Sequence, residues 1–285
     1  MRANRFDGFC DACRVHVAAG SGALTGTPGR WRTWCVACSP KPPNRGDHDG
    51  WHRLPLASLD FETTGVDPHT DRVLSYALLD APPLRESSVA AGGTPTGFEI
   101  TGLVNPGVPI PEAAAQVHGI TEAMLVDQPS SAEGLSVVVD WVQSLVERGV
   151  GLVVFNAAYD LTMLRAEAQR HGLPEPDWQR LVVVDPLVVD WGIERGGLGP
   201  RKLVDVATYY GIAVDHAHDA TCDARAARDV AVELAARHPQ VGTLSLEQLM
   251  ERQRGWFAER AADWNAYAAR VGRAIDDPAG WPLAG

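Results

Sequence analysis

The chain has 285 residues, 45% of them hydrophobic and without an internal repeat, which favours one full-core domain with appendages over a disordered or solenoid chain. Its formal charge of -11 argues against a broad positive field for a polyanion, yet residues 1–53 carry eight Lys and Arg against four Asp and Glu (+4), and residues 54–285 carry seventeen against thirty-two (-15). The opening residues lack an apolar signal core, and the strongest apolar run, 181–189, is broken by Asp185 and Pro186, so a cytoplasmic protein without a membrane span is expected.

In chain order, residues 1–39 come first, with Cys10-x2-Cys13 and Cys35-x2-Cys38 separated by twenty-one residues. In a reducing compartment this spacing fits a four-cysteine tetrahedral site, each pair forming one knuckle around a structural Zn²⁺. A redox dithiol is the competing reading, but it needs only one pair. A ribbon of this size has too little core to fold without its metal. Arg14, Arg30, Arg32, Lys41 and Arg45 surround the knuckles. Four thiolates on Zn²⁺ bring about -2, leaving a modest field of about +2 compatible with nucleic acid or with a protein contact. Residues 40–52 lack apolar periodicity and are expected to form a linker.

Three strand-like runs follow at 54–61, 73–79 and 98–104. Little helix lies between them, so antiparallel pairing is expected, with a mobile loop at 81–97. A short helix is expected at 111–118, and Ser130 with Glu133 forms a capping box opening a helix to about 148. Strand 151–155, helix 159–171 and strand 181–184 then imply a parallel pair. Helices at 202–210, 219–237 and 246–271 complete a mixed-sheet α/β domain, the last carrying Trp256, Phe257, Trp264 and Tyr267. Packing on the domain is the plainer reading of those aromatics, base stacking or a partner surface the sharper one.

The first strand ends in Asp60-Phe61-Glu62-Thr63-Thr64, and alternation places both carboxylates on one face. A lone pair of this kind is more often a solvated strand end. Here it is joined by Asn156-Ala157-Ala158-Tyr159-Asp160 after an apolar strand and by His218-Asp219-Ala220-Thr221-Cys222-Asp223 at the start of a helix. Five helical residues would separate His218 from Asp223 by roughly 140°, so His218 is expected at or before the helix start. Four gathered carboxylates raise one another's pKa unless a cation compensates. An all-oxygen donor set suits Mg²⁺ or Mn²⁺, and two such ions serve phosphodiester hydrolysis. Asp185 and Asp190 lack a motif partner and read as structural. Cys222, with no cationic neighbour, reads as a small buried helix residue.

These three segments resemble the exonuclease motifs of the DEDDh, or DnaQ-like, 3′→5′ exonucleases, a family that includes the epsilon proofreading subunit of bacterial DNA polymerase. The similarity extends through Leu103-Val104-Asn105-Pro106-Gly107 and Val117-His118-Gly119-Ile120-Thr121, spanning residues 54 to about 237. It implies a ribonuclease H-like fold over 53–240, preceded by the zinc ribbon and followed by a helical aromatic tail at 241–285. It also implies one metal held by Asp60, Glu62 and Asp223, and a second held mainly by Asp60 with Asp160 through water. His218 is then the general base, a role suited to imidazole, and the nearby His216 a bystander. Phe61, Thr63, Thr64, His118 and Asn156 match positions near the 3′-terminal nucleotide, although the threonines also fit a plain turn and His118 a backbone contact.

The expected activity is two-metal hydrolysis from the 3′ end of single-stranded DNA, releasing nucleoside 5′-monophosphates, with a polymerase or repair partner compatible. The same chemistry on RNA is the nearest alternative, because no residue identifiable in the sequence reads a 2′-hydroxyl. A non-catalytic nucleic-acid or polymerase adaptor is the third, disfavoured by the presence of all five active-site residues.

Overall fold

The computed structural model describes residues 2–27, 29–80, 98–195, 197–199, 201–214, 218–272 and 280–284. The loop expected at 81–97 and His216 lie outside the described residues.

Five short strands build the N-terminal module: β1 (Arg2–Ala3), β2 (Gly8–Phe9), β3 (His16–Val17), β4 (Ala23–Thr27) and β5 (Arg30–Trp34). Strands β1, β4 and β5 form one antiparallel sheet, while β2 pairs with β3 as a hairpin whose loop carries Cys10 and Cys13. Among the module's described residues, Cys10 and Val17 are the buried apolar ones. So little buried apolar surface does not offset the ordering of this many residues.

The segment at 40–52 has no regular structure before a single 3₁₀ turn, Trp51–Arg53. It is not a free tether, however. Gly46 N–H donates to Ala236 O at 2.8 Å, His48 Nε2 lies 2.9 Å from Ala235 O, and the buried Trp51 donates its indole N–H to Val241 O at 3.1 Å. The C-terminal backbones of two successive helices, Ala220–Arg237 and Pro239–Gly242, supply these acceptors, a surface that has no signature in the segment's own sequence.

The main sheet contains β6 (Leu56–Thr63), β7 (Val73–Leu79) and β8 (Glu99–Leu103). Helices α1 (Glu112–His118), α2 (Glu122–Leu125) and α3 (Ser131–Arg148) follow, then β9 (Gly151–Val153), α4 (Ala157–His171), β10 (Val183–Val184) and α5 (Pro186–Glu194). The chain continues with α6 (Leu203–Tyr210), α7 (Ala220–Arg237), α8 (Pro239–Gly242) and α9 (Leu246–Arg270). Strand order is β10-β9-β6-β7-β8, with β6–β7 and β7–β8 antiparallel and β6–β9 and β9–β10 parallel. This is the expected ribonuclease H-like mixed sheet flanked by helices. No described helix is long and apolar enough to cross a membrane.

Register assigns the layers. Ala77 stands opposite Asp60 and packs with Ala220 and Ala224 of α7, so α7 covers the Asp60 face. Tyr76 stands opposite Phe61 and lies against Gly134 of α3, so α3 covers the other face. The capping box at Ser130 and Glu133 forms as expected, with both reciprocal bonds present.

Helix α5 is an addition to the sequence reading. Asp185 caps it by accepting from Leu187 N–H and Val188 N–H, and Pro186 occupies its first turn. The sequence reading ends the strand at 184, and the β-branched pair Val188-Val189, of low helix propensity, gives no sign that a helix follows. Helix α9 closes the open edge of β10: the fully buried Gln253 accepts from Asp185 N–H at 2.6 Å and donates to Val183 O at 2.9 Å, taking the place of a neighbouring strand. Trp256 and Phe257 of α9 are buried in the core.

Candidate active site

Strand β6 delivers Asp60 and Glu62 to one face, and a register shift between Glu62 and Thr63 ends the regular pairing there. Helix α7 begins at Ala220 with Asp219 as its cap, placing Asp223 in the first turn above β6. Asp60, Glu62 and Asp223 each offer an oxygen, and the three atoms lie within 4.8 Å of one another. Glu62 is buried, while Asp60 and Asp223 are half-buried. Asp160, in the first turn of α4, is buried, with the backbone of Phe61 near enough to favour its charged form. It lies outside that close trio but near enough to act on Asp60 electrostatically.

The electrostatics match a site built for positive charge. Burial, then the charges of Asp160, Asp223 and Glu62, hold the Asp60 carboxyl well above the usual carboxylate range. Burial followed by Asp223 and Asp160 pushes Glu62 up to about 8. Asp160 is likewise pushed up to about 8, chiefly by burial and against the Phe61 backbone that favours its charged form. Asp223 is raised by burial and opposed by the His218 N–H. An all-oxygen trio that cannot ionise together without help has the donor chemistry of a Mg²⁺- or Mn²⁺-type cation.

His218 precedes α7, with the left-handed φ of 69° that is uncommon outside glycine and asparagine. Its N–H donates to Asp223 Oδ2 at 3.1 Å, and its side chain is exposed to solvent. The two residues meet because His218 is outside the helix, as helical phase requires.

The remaining candidates occupy several environments. Phe61 is buried on the opposite sheet face. Thr63 Oγ1 lies 2.7 Å from both Gly65 O and Tyr159 Oη. Thr64 Oγ1 donates to Asp71 Oδ1 at 2.9 Å and accepts from Arg72 N–H at 3.0 Å, so its hydroxyl serves the turn after β6. His118 Nδ1 accepts from Ile120 N–H at 3.0 Å, while its buried Nε2 has no partner among the described residues. Burial lowers the His118 pKa, against the Thr63 backbone and with the charge of His218 adding to it. Asn156 has φ 68° and makes no side-chain cap; its N–H donates to Asp185 Oδ1 at 3.0 Å.

Two residues near the carboxylates escape motif reading. Tyr159 joins Thr63 to Gly65 through its hydroxyl, a function that adjacency to Asp160 could have signalled. Asp185 is buried and binds the N–H groups of Asn156 and Ala157 at 3.0 and 2.9 Å. Only the folded chain brings it to the start of α4.

The four cysteines form a separate cluster, one sulfur from each lying within 4.8 Å of the others. The Cys13 and Cys35 sulfurs are 3.7 Å apart, too far for a disulfide. Backbone N–H groups of Cys13 and Cys35 lower Cys10 to about 6, whereas hydrogen bonding with Cys13 and Cys35 raises Cys38 to about 12. The sulfurs thus share protons rather than all ionising, and a tetrahedral cation is the group that lets them all ionise. A cavity of about 430 Å³ between α5 and α9, lined by Trp191, Trp264 and Tyr267, includes none of the four carboxylates or four cysteines.

Comparison with known proteins bears on the fold and on the class of activity. The chain is 25% identical over 199 residues to a DNA polymerase III PolC-type protein of Caldanaerobacter subterraneus, covering 68% of this chain and 13% of that protein. It is 28% identical over 184 residues to the DNA polymerase III subunit epsilon of Treponema pallidum, covering 64% of this chain and 77% of that one. Among solved structures it resembles E. coli Exonuclease I in complex with a dT13 oligonucleotide, at a TM-score of 0.52 and 20% identity, over 65% of this chain and 42% of that chain. The chain thus spans well under two thirds of the PolC-type protein and of Exonuclease I. The family described as Exonuclease (RNase_T) matches residues 58–231, more than half of the 285, and by that match the chain belongs to this exonuclease family.

Proposed function

We propose that the protein is a metal-dependent 3′→5′ exonuclease that hydrolyses single-stranded DNA from its 3′ end and releases nucleoside 5′-monophosphates. The observation that carries this reading is the convergence of Asp60, Glu62 and Asp223 within 4.8 Å, with His218 tied to Asp223. Asp60, Glu62 and Asp223 are the residues to hold one divalent ion, and Asp60 with Asp160 a second. When bound, such cations offset the clustered negative charge, lower the pKa of water and stabilise charge developing on phosphate oxygens. His218, exposed at the edge of the cluster, takes the proton of the attacking water. Thr63, Thr64, His118 and Asn156 are the residues assigned to receiving the terminal nucleotide, with Phe61 supporting β6 from the opposite sheet face.

Domain roles follow from the same reading: a zinc ribbon at 1–39, a docked connector at 40–52, the nuclease at 53–240 and a helical tail at 241–285. The polymerase III relatives support association with a polymerase.

A 5′-labelled single strand incubated with the purified protein and Mg²⁺ or Mn²⁺ is expected to shorten one nucleotide at a time from its 3′ end. EDTA or Asp160→Ala is expected to stop it. Faster degradation of a matched RNA strand would transfer the assignment to RNA, and an intact strand under all conditions would refute nuclease activity.

A further inference from the structure

We infer that the C-terminal tail, beyond the 58–231 span of the family match, positions the catalytic helix through two buried side chains, Gln253 and Trp281. The link begins at Asp185, whose side chain is almost wholly buried. Its Oδ1 accepts the N–H of Asn156 at 3.0 Å and of Leu187 at 3.0 Å, and its Oδ2 accepts the N–H of Ala157 at 2.9 Å. One carboxylate thereby joins the start of α4 to the start of α5. Asp160 lies in the first turn of α4, so the direction of that turn sets where its carboxylate points. Asn156 holds a left-handed φ of 68°, a conformation that an unsupported asparagine leaves readily.

Both tail residues act on Asp185. Trp281 donates its indole N–H to Asp185 Oδ2 at 3.2 Å, the same oxygen that receives Ala157. Gln253 of α9 accepts the Asp185 N–H at 2.6 Å and anchors itself on Val183 O at 2.9 Å. The side chain of Asp185 is thus held from the tail and its backbone from α9. A buried polar network of this kind fixes geometry only when every member is satisfied. Gln253 and Trp281 act through Asp185 and are positioning residues.

The link to turnover rests on the proposed exonuclease reading, whereas the link to α4 does not. The test therefore uses two measurements on the full-length protein. Trp281→Phe keeps an aromatic side chain and removes the donor, Gln253→Met keeps bulk and removes both bonds, and Arg254→Ala, which removes an exposed ion pair with Glu251, is a tail control. Amide hydrogen exchange is expected to quicken about tenfold at Asn156 and Ala157 in the first two variants, with no change in α3 or in the control. Well below the melting temperature, turnover is expected to fall about tenfold with a smaller change in KM for oligonucleotide, the scale usual for outer-shell partners of a metal site. Exchange that rises uniformly with global stability, or that stays unchanged at these amides, overturns the inference. If exchange responds but the wild type degrades no strand, the exonuclease reading fails and the positioning of α4 stands. Responsive exchange with wild-type turnover refutes the catalytic part.

Discussion

The backbone N–H of His218 donates to Asp223 Oδ2, tying the imidazole-bearing turn to a carboxylate five residues later. The carboxylate that joins Asp60 and Glu62 thereby also holds the loop carrying the proposed base. Removing the imidazole alone should leave this tie intact, because it uses only the backbone. His218→Ala is therefore expected to lose about 10² to 10⁴-fold in turnover, within the usual range for general-base catalysis, with binding of a single strand changed little. Single-turnover digestion alongside fluorescence-anisotropy binding separates the two. Equal losses in both would assign His218 to binding instead.

Without Mg²⁺, the buried carboxylates should make stability fall as pH rises. Glu62, ordinarily near 4.5, and Asp160, ordinarily near 3.8, are both pushed up to about 8 in the fold. The folded protein keeps protons that the unfolded chain has released, so the stabilisation is complete below the unfolded values and lost by about 8. Thermal melts in buffer free of Mg²⁺ should show Tm declining between pH 5 and pH 8, and added Mg²⁺ should raise Tm most at the alkaline end. A Mg²⁺ effect that is largest at pH 5 would contradict this electrostatic account.

The cysteine cluster is expected to hold one zinc ion per chain. Replacing Cys13 and Cys35 by Ser should abolish that content and expose residues before 40 to protease, because the module buries little else. The main thermal transition should move only slightly. Elemental analysis and limited proteolysis provide the check, and a variant that retained a full zinc equivalent would remove the assignment.

A buried ion pair offers a test of the scaffold independent of chemistry. Arg201 Nε donates to Asp190 Oδ2 at 2.9 Å, with a second bond from Nη2 to Oδ1, and both side chains are almost excluded from solvent. Arg201→Met strands a buried carboxylate and is expected to cost about 3–5 kcal/mol, while adding Asp190→Leu should recover most of it. Urea unfolding of the two variants decides between this and a pair of no consequence, for which neither variant would shift the midpoint.

Much of the active-site neighbourhood was legible in the sequence because it depends on local periodicity. Alternation along β6 puts Asp60 and Glu62 on one face, the capping pair Ser130–Glu133 starts α3, and helical phase excludes His218 from the body of α7. These are nearest-neighbour constraints that a sequence carries explicitly. Contacts between distant segments are different in kind: Trp51 docks on Val241 O, Asp185 gathers the starts of α4 and α5, and Gln253 stands in for a missing strand beside β10. Apart from the local cap that Asp185 gives α5, each is a buried polar atom satisfied by a backbone group far away in sequence, and no pattern within either segment specifies its partner. The sequence by itself thus determined most of the nuclease domain's longer elements, α5 excepted, and the carboxylates they carry. Only the tertiary structure decided how closely those carboxylates approach and which distant side chains hold them there, because hydrogen-bond satisfaction in a closed core is a property of the whole chain.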